Sequence, residues 1–316
     1  LGANLKYKAG INHMFSIGVD VGGSHIAVCA FDHLNKCLIK ETHFYEKINP
    51  YGSKDEILES WENTIRKSIQ KLGKPIKGVG LAMPGPFDYY EGICKINNVE
   101  KFQSLFNVNL RLEIAERLKL NPSQIRFIND AAAFAIAEAW IGPASVYGKM
   151  VAITLGTGLG ASFILNGTPI LKGKNVPDSG YLYNQDYKNV LADRLFSTRG
   201  IIEAYSKMTG QHIRNVKELY DKVGVDRNAK PVFENFGSEL GDFLRPYLEE
   251  FGAEILVLGG KISKAFDVFG NSLKNELDFL EEIYVSEFGE DAAIVGSALL
   301  LEDVFYSKIQ DTLKLM

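Results

Sequence analysis

Hydrophobic positions change their period several times along the chain, and each change marks an element. Residues 15–32 form two apolar runs around Gly22-Gly23, the pattern of strand, tight turn and strand. A glycine pair at that point is expected to supply positive φ. Residues 38–45 give a third strand. Ile57, Leu58, Trp61, Ile65, Ile69 and Leu72 then recur at helical spacing and predict an amphipathic helix over 55–72, ended by Gly73-Lys74-Pro75. Residues 76–83 are a short apolar strand broken by Pro84-Gly85-Pro86. A helix over 110–118 and a fifth strand at Phe127-Ile128 follow. Asn129-Asp130 then opens an alanine-rich helix, which completes a β-β-β-α-β-α-β-α series.

The second half starts the same way. Residues 150–165 are again strand, glycine-rich turn and strand, with Gly156, Gly158 and Gly160 in the turn. Asn166-Gly167 is a hairpin signal into 168–171. Helical patterns cover 190–208, 216–223 and 231–251. A buried-type strand at 255–258 stops at Gly259-Gly260. A helix over 265–277, a strand over 283–286 and a last helix from about 291 through 305 and beyond complete the chain. This is a duplication at domain scale. It predicts an α/β fold with a small first domain over 14–143 and a larger second domain over 144–302. The last helix, 303–316, is expected to pack back on the first domain, and residues 1–13 to form an extension. Two similar domains imply a cleft between them, where small-molecule sites usually lie.

Composition narrows the function classes. The 316 residues suffice for two cores, and 46% hydrophobic with 23% charged residues is ordinary for a globular protein. A net charge of −4 offers no basic footprint, so no nucleic-acid partner is expected. No apolar run reaches the roughly 20 residues of a membrane span, and 1–13 lack a signal-peptide core. No membrane partner is expected, and the cytosol is the expected compartment. Cys29, Cys37 and Cys94 show no paired spacing, which argues against a disulfide framework or a structural zinc site.

Chemistry concentrates at three places. Asp130 stands where a strand meets a helix, beside the unsatisfied N–H donors of the helix start. Taken alone, Asn129-Asp130 reads as a helix cap. Beside a cleft it also reads as a catalytic carboxylate with a polar neighbour. The helix dipole is expected to lower the Asp130 pKa and keep it ionised at neutral pH. The glycine turns at Gly22-Gly23 and Gly156–Gly160 expose backbone N–H groups that can bind phosphate oxygens. One such turn reads as a plain hairpin, whereas two at equivalent positions point to the two ends of a triphosphate. Neither is a Walker A loop, and the second leads into a strand, unlike a dinucleotide fingerprint. Asp20 reads either as a turn residue or as a carboxylate that positions Mg²⁺, directly or through water.

Six segments in this order resemble the ROK family of sugar kinases, within the actin/hexokinase/Hsp70 fold group. Ile17 to Ala30 resembles its first phosphate hairpin. Gly80-Leu81-Ala82-Met83-Pro84-Gly85-Pro86-Phe87-Asp88 is similar to its G-[IV]-x-x-P-G-x-[VI]-[DN] segment, and Asn129-Asp130-Ala131-Ala132-Ala133 to its catalytic segment. Ile153 to Ala161 resembles the second phosphate loop. Gly259-Gly260 resembles the adenosine-side glycine pair, and Ala293-Ile294-Val295-Gly296-Ser297-Ala298 a closing helix. The resemblance implies two RNase H-like (actin-like ATPase) domains. It also implies ATP- and Mg²⁺-dependent phosphorylation of a sugar hydroxyl, usually the 6-hydroxyl of a hexose or N-acylhexosamine.

By the same resemblance Asp130 is the general base. Asn98, Asn129, Asp130, Gly85, Asp178 and Asp193 face the sugar. Asp20, Gly22, Gly23, Ser24, Gly156, Thr157, Gly158, Gly259 and Gly260 hold the nucleotide, with Asp20 on the metal. Pro177-Asp178-Ser179-Gly180-Tyr181 stands where the family has G-E-x-G-H, so Asp178 replaces a sugar-contacting Glu and Tyr181 a zinc-binding His. No Cys follows Cys94, and zinc is not expected. The thirteen residues before Met14 are too few for the helix-turn-helix domain of the family's repressors. The altered Asp178/Tyr181 segment keeps a second reading open, a non-catalytic sugar-binding regulator with the kinase fold. Homodimers are common in such families, with 190–223 the expected interface.

Overall fold

A computed structural model describes residues 14–97 and 101–316; the expected extension 1–13 lies outside the described residues. The first half runs β1 (Phe15–Gly22), β2 (His25–Asp32), β3 (Cys37–Lys47), α1 (Lys54–Leu72), β4 (Ile76–Met83), a short pair β5 (Phe87–Asp88) and β6 (Ile93–Cys94), α2 (Leu110–Leu118), β7 (Ile125–Asn129) and α3 (Asp130–Trp140). The amphipathic helix forms as its sequence predicts. The Ser53 side chain accepts from the Glu56 N–H at its start, and Gly73 in the left-handed region ends it. Ile57, Leu58, Trp61 and Ile65 face the core.

The second half runs β8 (Lys149–Leu155), β9 (Leu159–Leu165), β10 (Thr168–Ile170), β11 (Asp186–Tyr187), β12 (Val190–Leu191), α4 (Ala192–Leu195), α5 (Thr198–Thr209), α6 (Val216–Tyr220), α7 (Ala229–Phe251), β13 (Ile255–Gly259), α8 (Phe266–Glu276), β14 (Glu282–Val285), α9 (Ala292–Leu299) and α10 (Asp303–Leu313). The two five-stranded sheets have matching order, β3-β2-β1-β4-β7 and β10-β9-β8-β13-β14. In each, three antiparallel strands come first and two parallel strands are added beside the first of them. The duplication read from the sequence is therefore a duplication of topology.

Two predicted helices are interrupted, each by a tertiary contact. The pattern over 190–208 begins as the β11–β12 pair and breaks at Ser197, whose backbone is extended. Beyond the break, the Thr198 N–H and hydroxyl both turn to the Gly156 carbonyl, 2.8 and 3.0 Å away. The final helix breaks between α9 and α10, where the Arg126 guanidinium takes the Leu300 carbonyl. The chain then turns so that Phe305, Ile309 and Leu313 enter the core that holds the first sheet.

The halves are joined by an exchange of helices. α9 covers β1 and β4 of the first sheet, while α3 lies against β8 and β9 of the second, and the two helices pack on each other. Glycines set the spacing. A Cβ at Gly80 would stand 1.8 Å from the Ser297 carbonyl oxygen, and one at Gly296 would stand 1.8 Å from that of Ala133. No helix among the described residues is long and apolar enough to cross a membrane.

Candidate active site

A cleft of about 550 Å³ opens between the halves. Its floor is the β7–α3 junction, and its walls are the Pro84–Phe87 turn on one side and the Leu155–Ala161 hairpin on the other. At the junction the structure divides the Asn129-Asp130 pair into two roles. Asn129 is the cap: its Oδ1 accepts from the Ala131 and Ala132 N–H groups at 3.1 and 3.2 Å, and its Nδ2 donates to the Tyr89 hydroxyl at 3.3 Å. Tyr89 in turn donates to the Met83 carbonyl at 3.0 Å. The remaining Asn129 amide hydrogen serves the Asp130 carboxylate.

Asp130 is thereby released from capping. Its Oδ1 accepts from the Ala131 N–H at 2.8 Å, while the carboxylate is exposed to the cleft. The expectation that the helix start lowers its pKa is corrected. Desolvation by the surrounding walls raises it and outweighs the downward pull of the Ala131 N–H, its own N–H and Asn129. The cleft walls crowd the carboxylate without closing over it, so it is desolvated and still accessible. Asp20, on β1 nearby, is pushed up to about 7 by burial first, then by the Asp130 and Glu290 charges.

The glycine hairpins are open for space rather than for backbone conformation. Gly22, Gly23, Gly156 and Gly158 all lack the positive φ that a glycine turn was expected to need. A Cβ at Gly22 would meet the His25 ring at 2.3 Å, and one at Gly158 would meet Asp193 Oδ1 at 2.6 Å. In the second hairpin the Gly156 N–H bonds the Gly158 carbonyl and the Leu159 N–H bonds Asp193. Among the described residues the Thr157 and Gly158 N–H groups have no partner, and Thr157 is exposed. Two neighbouring free donors on a turn suit phosphate oxygens.

The other expected site residues divide. Gly85, Gly156, Thr157, Gly158, Asp193 and Gly260 line the cleft with Asn129 and Asp130. Asp20, Gly22, Gly23 and Ser24 stand beside it on the first hairpin, outside the lining. Gly259 packs under the Phe134 ring and does not reach the cleft, whereas Gly260 takes a φ of 83° against the Leu155 carbonyl. Asp178 is exposed and outside the lining. Asn98 lies outside the described residues. A second cavity of about 530 Å³ adjoins Lys261, between Thr198, Tyr220 and Ala265, and has room for a base and ribose.

Two cleft residues, Tyr89 and Tyr183, escaped the sequence reading, and Tyr181 is legible there only as a replacement for a zinc-binding His. Tyr89, Tyr181 and Tyr183 line the cleft, the last two with rings 5.4 Å apart. Their sequence signal is a tyrosine in a turn-rich segment, which is too common to single out. Lys101, outside the cleft lining, was also missed; its ammonium stands 3.0 Å from where a Gly23 Cβ would be, which brings a positive charge to the first hairpin. Among the described residues no three His, Cys, Asp or Glu side chains group to hold a metal ion.

Two like sheets, helices exchanged between them and a cleft floored by a carboxylate define a protein of the actin-like ATPase fold. The ROK family model matches residues 16–304, and the chain belongs to the ROK family. It is similar to the glucokinase of Thermotoga maritima, 28% identical over 91% of this chain and 97% of that protein. It is also similar to the N-acetyl-D-glucosamine kinase of Pectobacterium carotovorum, 27% identical over 90% of this chain and 97% of that one. The fold matches that of a ROK family glucokinase from Streptomyces griseus in complex with glucose and AMPPNP. The TM-score is 0.72, at 19% identity over 90% of this chain and 98% of that one.

Proposed function

We propose that the chain transfers the terminal phosphoryl group of ATP to the 6-hydroxyl of a hexose or N-acylhexosamine, with Asp130 as general base. The observation that carries this reading is the uncapped Asp130 carboxylate on the cleft floor, facing a hairpin with two free N–H donors. In the reaction the hydroxyl oxygen bonds the terminal phosphorus, the bond to the ADP oxygen breaks, and Asp130 takes the hydroxyl proton. The free Thr157 and Gly158 N–H groups receive phosphate oxygens, and Lys101 adds charge at the Gly22-Gly23 side.

Phosphoryl transfer needs alignment and charge neutralisation more than covalent help. The donor set fits Mg²⁺: Asp20, a carboxylate crowded by Asp130 and Glu290, would hold it, directly or through water. When bound, the ion supplies positive charge at the phosphates. On the sugar side we assign Asn129, Gly85, Asp193 and Tyr181 as contacts, and Asn98 as a further one. Asp178 is assigned no direct contact because it is exposed outside the cleft lining. The lobes that close on the pair of substrates are 14–143 with α10, and 144–302.

A coupled ADP-release assay over a panel of hexoses and N-acylhexosamines tests the reading. Turnover with at least one sugar is expected. Sugar binding by calorimetry with no turnover on any sugar would replace it with the non-catalytic regulator.

The carboxylates also set a pH dependence. Both pKa values are raised, and repulsion between two carboxylates is reciprocal, so the protons leave in two steps that belong to the pair. A base works only when ionised, so kcat/KM is expected to fall as pH drops through the raised pKa of Asp130. A flat profile from pH 5 to 8 would remove this account.

A further inference from the structure

The segment between β12 and α5 holds the second glycine hairpin at both ends. Asp193 Oδ1 accepts the Leu159 N–H at 2.9 Å, on the far side of the turn. Thr198 donates its N–H and its hydroxyl to the Gly156 carbonyl at 2.8 and 3.0 Å, on the near side. Only the Gly156–Leu159 turn, with its free Thr157 and Gly158 N–H groups, lies between these two anchors. The buried side chains of Phe196 and Ser197 fix the segment itself in the second core. Its other end reaches the sugar side, since the Asp193 N–H donates to the Tyr183 carbonyl at 3.1 Å and Tyr183 lines the cleft.

We infer that Asp193 and Thr198 form a bracket that holds the Gly156–Leu159 turn in its phosphate-receiving shape and ties it to the tyrosine wall of the cleft. Both position the turn for the nucleotide; Thr198 also lines the second cavity and does not line the sugar-side cleft. A hairpin turn of three small residues has many backbone conformations available. Hydrogen bonds at its two ends select one, so less order is lost when phosphate binds. The bracket also explains Gly158. Any side chain there would fall on the Asp193 carboxylate.

This inference rests on the phosphotransfer reading, and its test separates the two. The affinity of AMPPNP with Mg²⁺ is measured by calorimetry for wild type, Thr198→Val, Thr198→Ser, Asp193→Asn and Asp193→Ala, alongside thermal melts and the affinity of a sugar that binds wild type. Thr198→Val keeps shape and loses the hydroxyl donor. It should weaken AMPPNP about 3- to 10-fold, the size of one neutral hydrogen bond, with sugar affinity unchanged. Thr198→Ser should bind AMPPNP within about 2-fold of wild type, because its hydroxyl remains. Asp193→Asn keeps an acceptor for the Leu159 N–H and should lose sugar affinity alone, whereas Asp193→Ala should lose both.

Equal AMPPNP affinity in wild type and Thr198→Val overturns the bracket. So does an equal loss in the Val and Ser variants, which would trace the effect to packing. Wild type that binds AMPPNP but phosphorylates no sugar overturns the proposed reaction and leaves the bracket standing. Wild type that does not bind AMPPNP overturns both.

Discussion

Asp130→Asn should lower kcat by about 10²-fold or more at saturating sugar and ATP, with the melting temperature nearly unchanged. The two halves of this expectation come from the division of labour at the β7–α3 junction. The cap of α3 is the Asn129 side chain, which takes the Ala131 and Ala132 N–H groups. An amide at 130 still offers an oxygen to the Ala131 N–H, as Asp130 does now at 2.8 Å. What is lost is the charge. An ionised carboxylate in the first turn of a helix contributes about 0.3–1 kcal/mol through the dipole. Against this, the walls raise the pKa of this carboxylate, so removing its charge also removes a desolvation cost. The two effects oppose, and stability should move little.

Catalysis has no such compensation, because an amide cannot take the proton of the attacking hydroxyl. The comparison variant is Asn129→Ala, which removes the cap and should cost about 0.5–2 kcal/mol of stability. Coupled ADP release and thermal melts on both variants check the assignment. An Asp130→Asn enzyme as fast as wild type would end the role of Asp130 as base. A large loss of stability in that variant would assign the cap to the wrong residue.

That division of roles also marks how far the sequence could be read. The strand pairs at 15–32 and 150–165 were legible because short apolar runs flanking glycine have one common solution, a hairpin. The repeated order then carried over to both sheets. The strand-to-helix junction was legible for the same local reason. Which of Asn129 and Asp130 caps the helix was not, since either side chain can reach the same N–H groups. The sign of the Asp130 shift was not legible either. It depends on walls brought from Pro84–Phe87 and Leu155–Ala161, far away in the chain, and burial by those walls exceeds the local helix effect. The breaks at Ser197 and after Leu299 have the same origin. Periodicity favoured continuous helices, and a contact with a distant carbonyl or guanidinium stopped them. Tyr181 was visible as a replacement for a zinc-binding His, but its place in the cleft wall came only with the fold.

Gly296→Ala should destabilise the protein and slow it together, although substitution in a helix interior usually favours alanine. Helix propensity alone would stabilise α9 by about 1 kcal/mol. The added Cβ, however, would stand 1.8 Å from the Ala133 carbonyl oxygen, which is backbone and cannot rotate away. The helices must separate instead, and overpacking of this kind costs roughly 1–3 kcal/mol. The steric cost therefore exceeds the propensity gain over most of that range.

The separation also bears on the active site. α9 is seated on the first sheet by the close approach of its Ser297 and Ile294 carbonyls to Gly80 and Gly18, and α3 carries Asp130, so any part of the separation taken up by α3 reaches the site. Asp130 is the first residue of α3, and Ala133 is one turn away. A shift near 1 Å at the base can cost about 10²-fold in rate. We therefore expect a melting temperature lower by several degrees, roughly 2–4 °C per kcal/mol for a protein of this size class, with a fall in kcat larger than any change in nucleotide affinity. Thermal melts, steady-state kinetics and AMPPNP titration measure the three quantities. A Gly296→Ala protein that melts higher than wild type with full activity would show that α3 and α9 have room for a methyl group. Active-site geometry would then not depend on their contact.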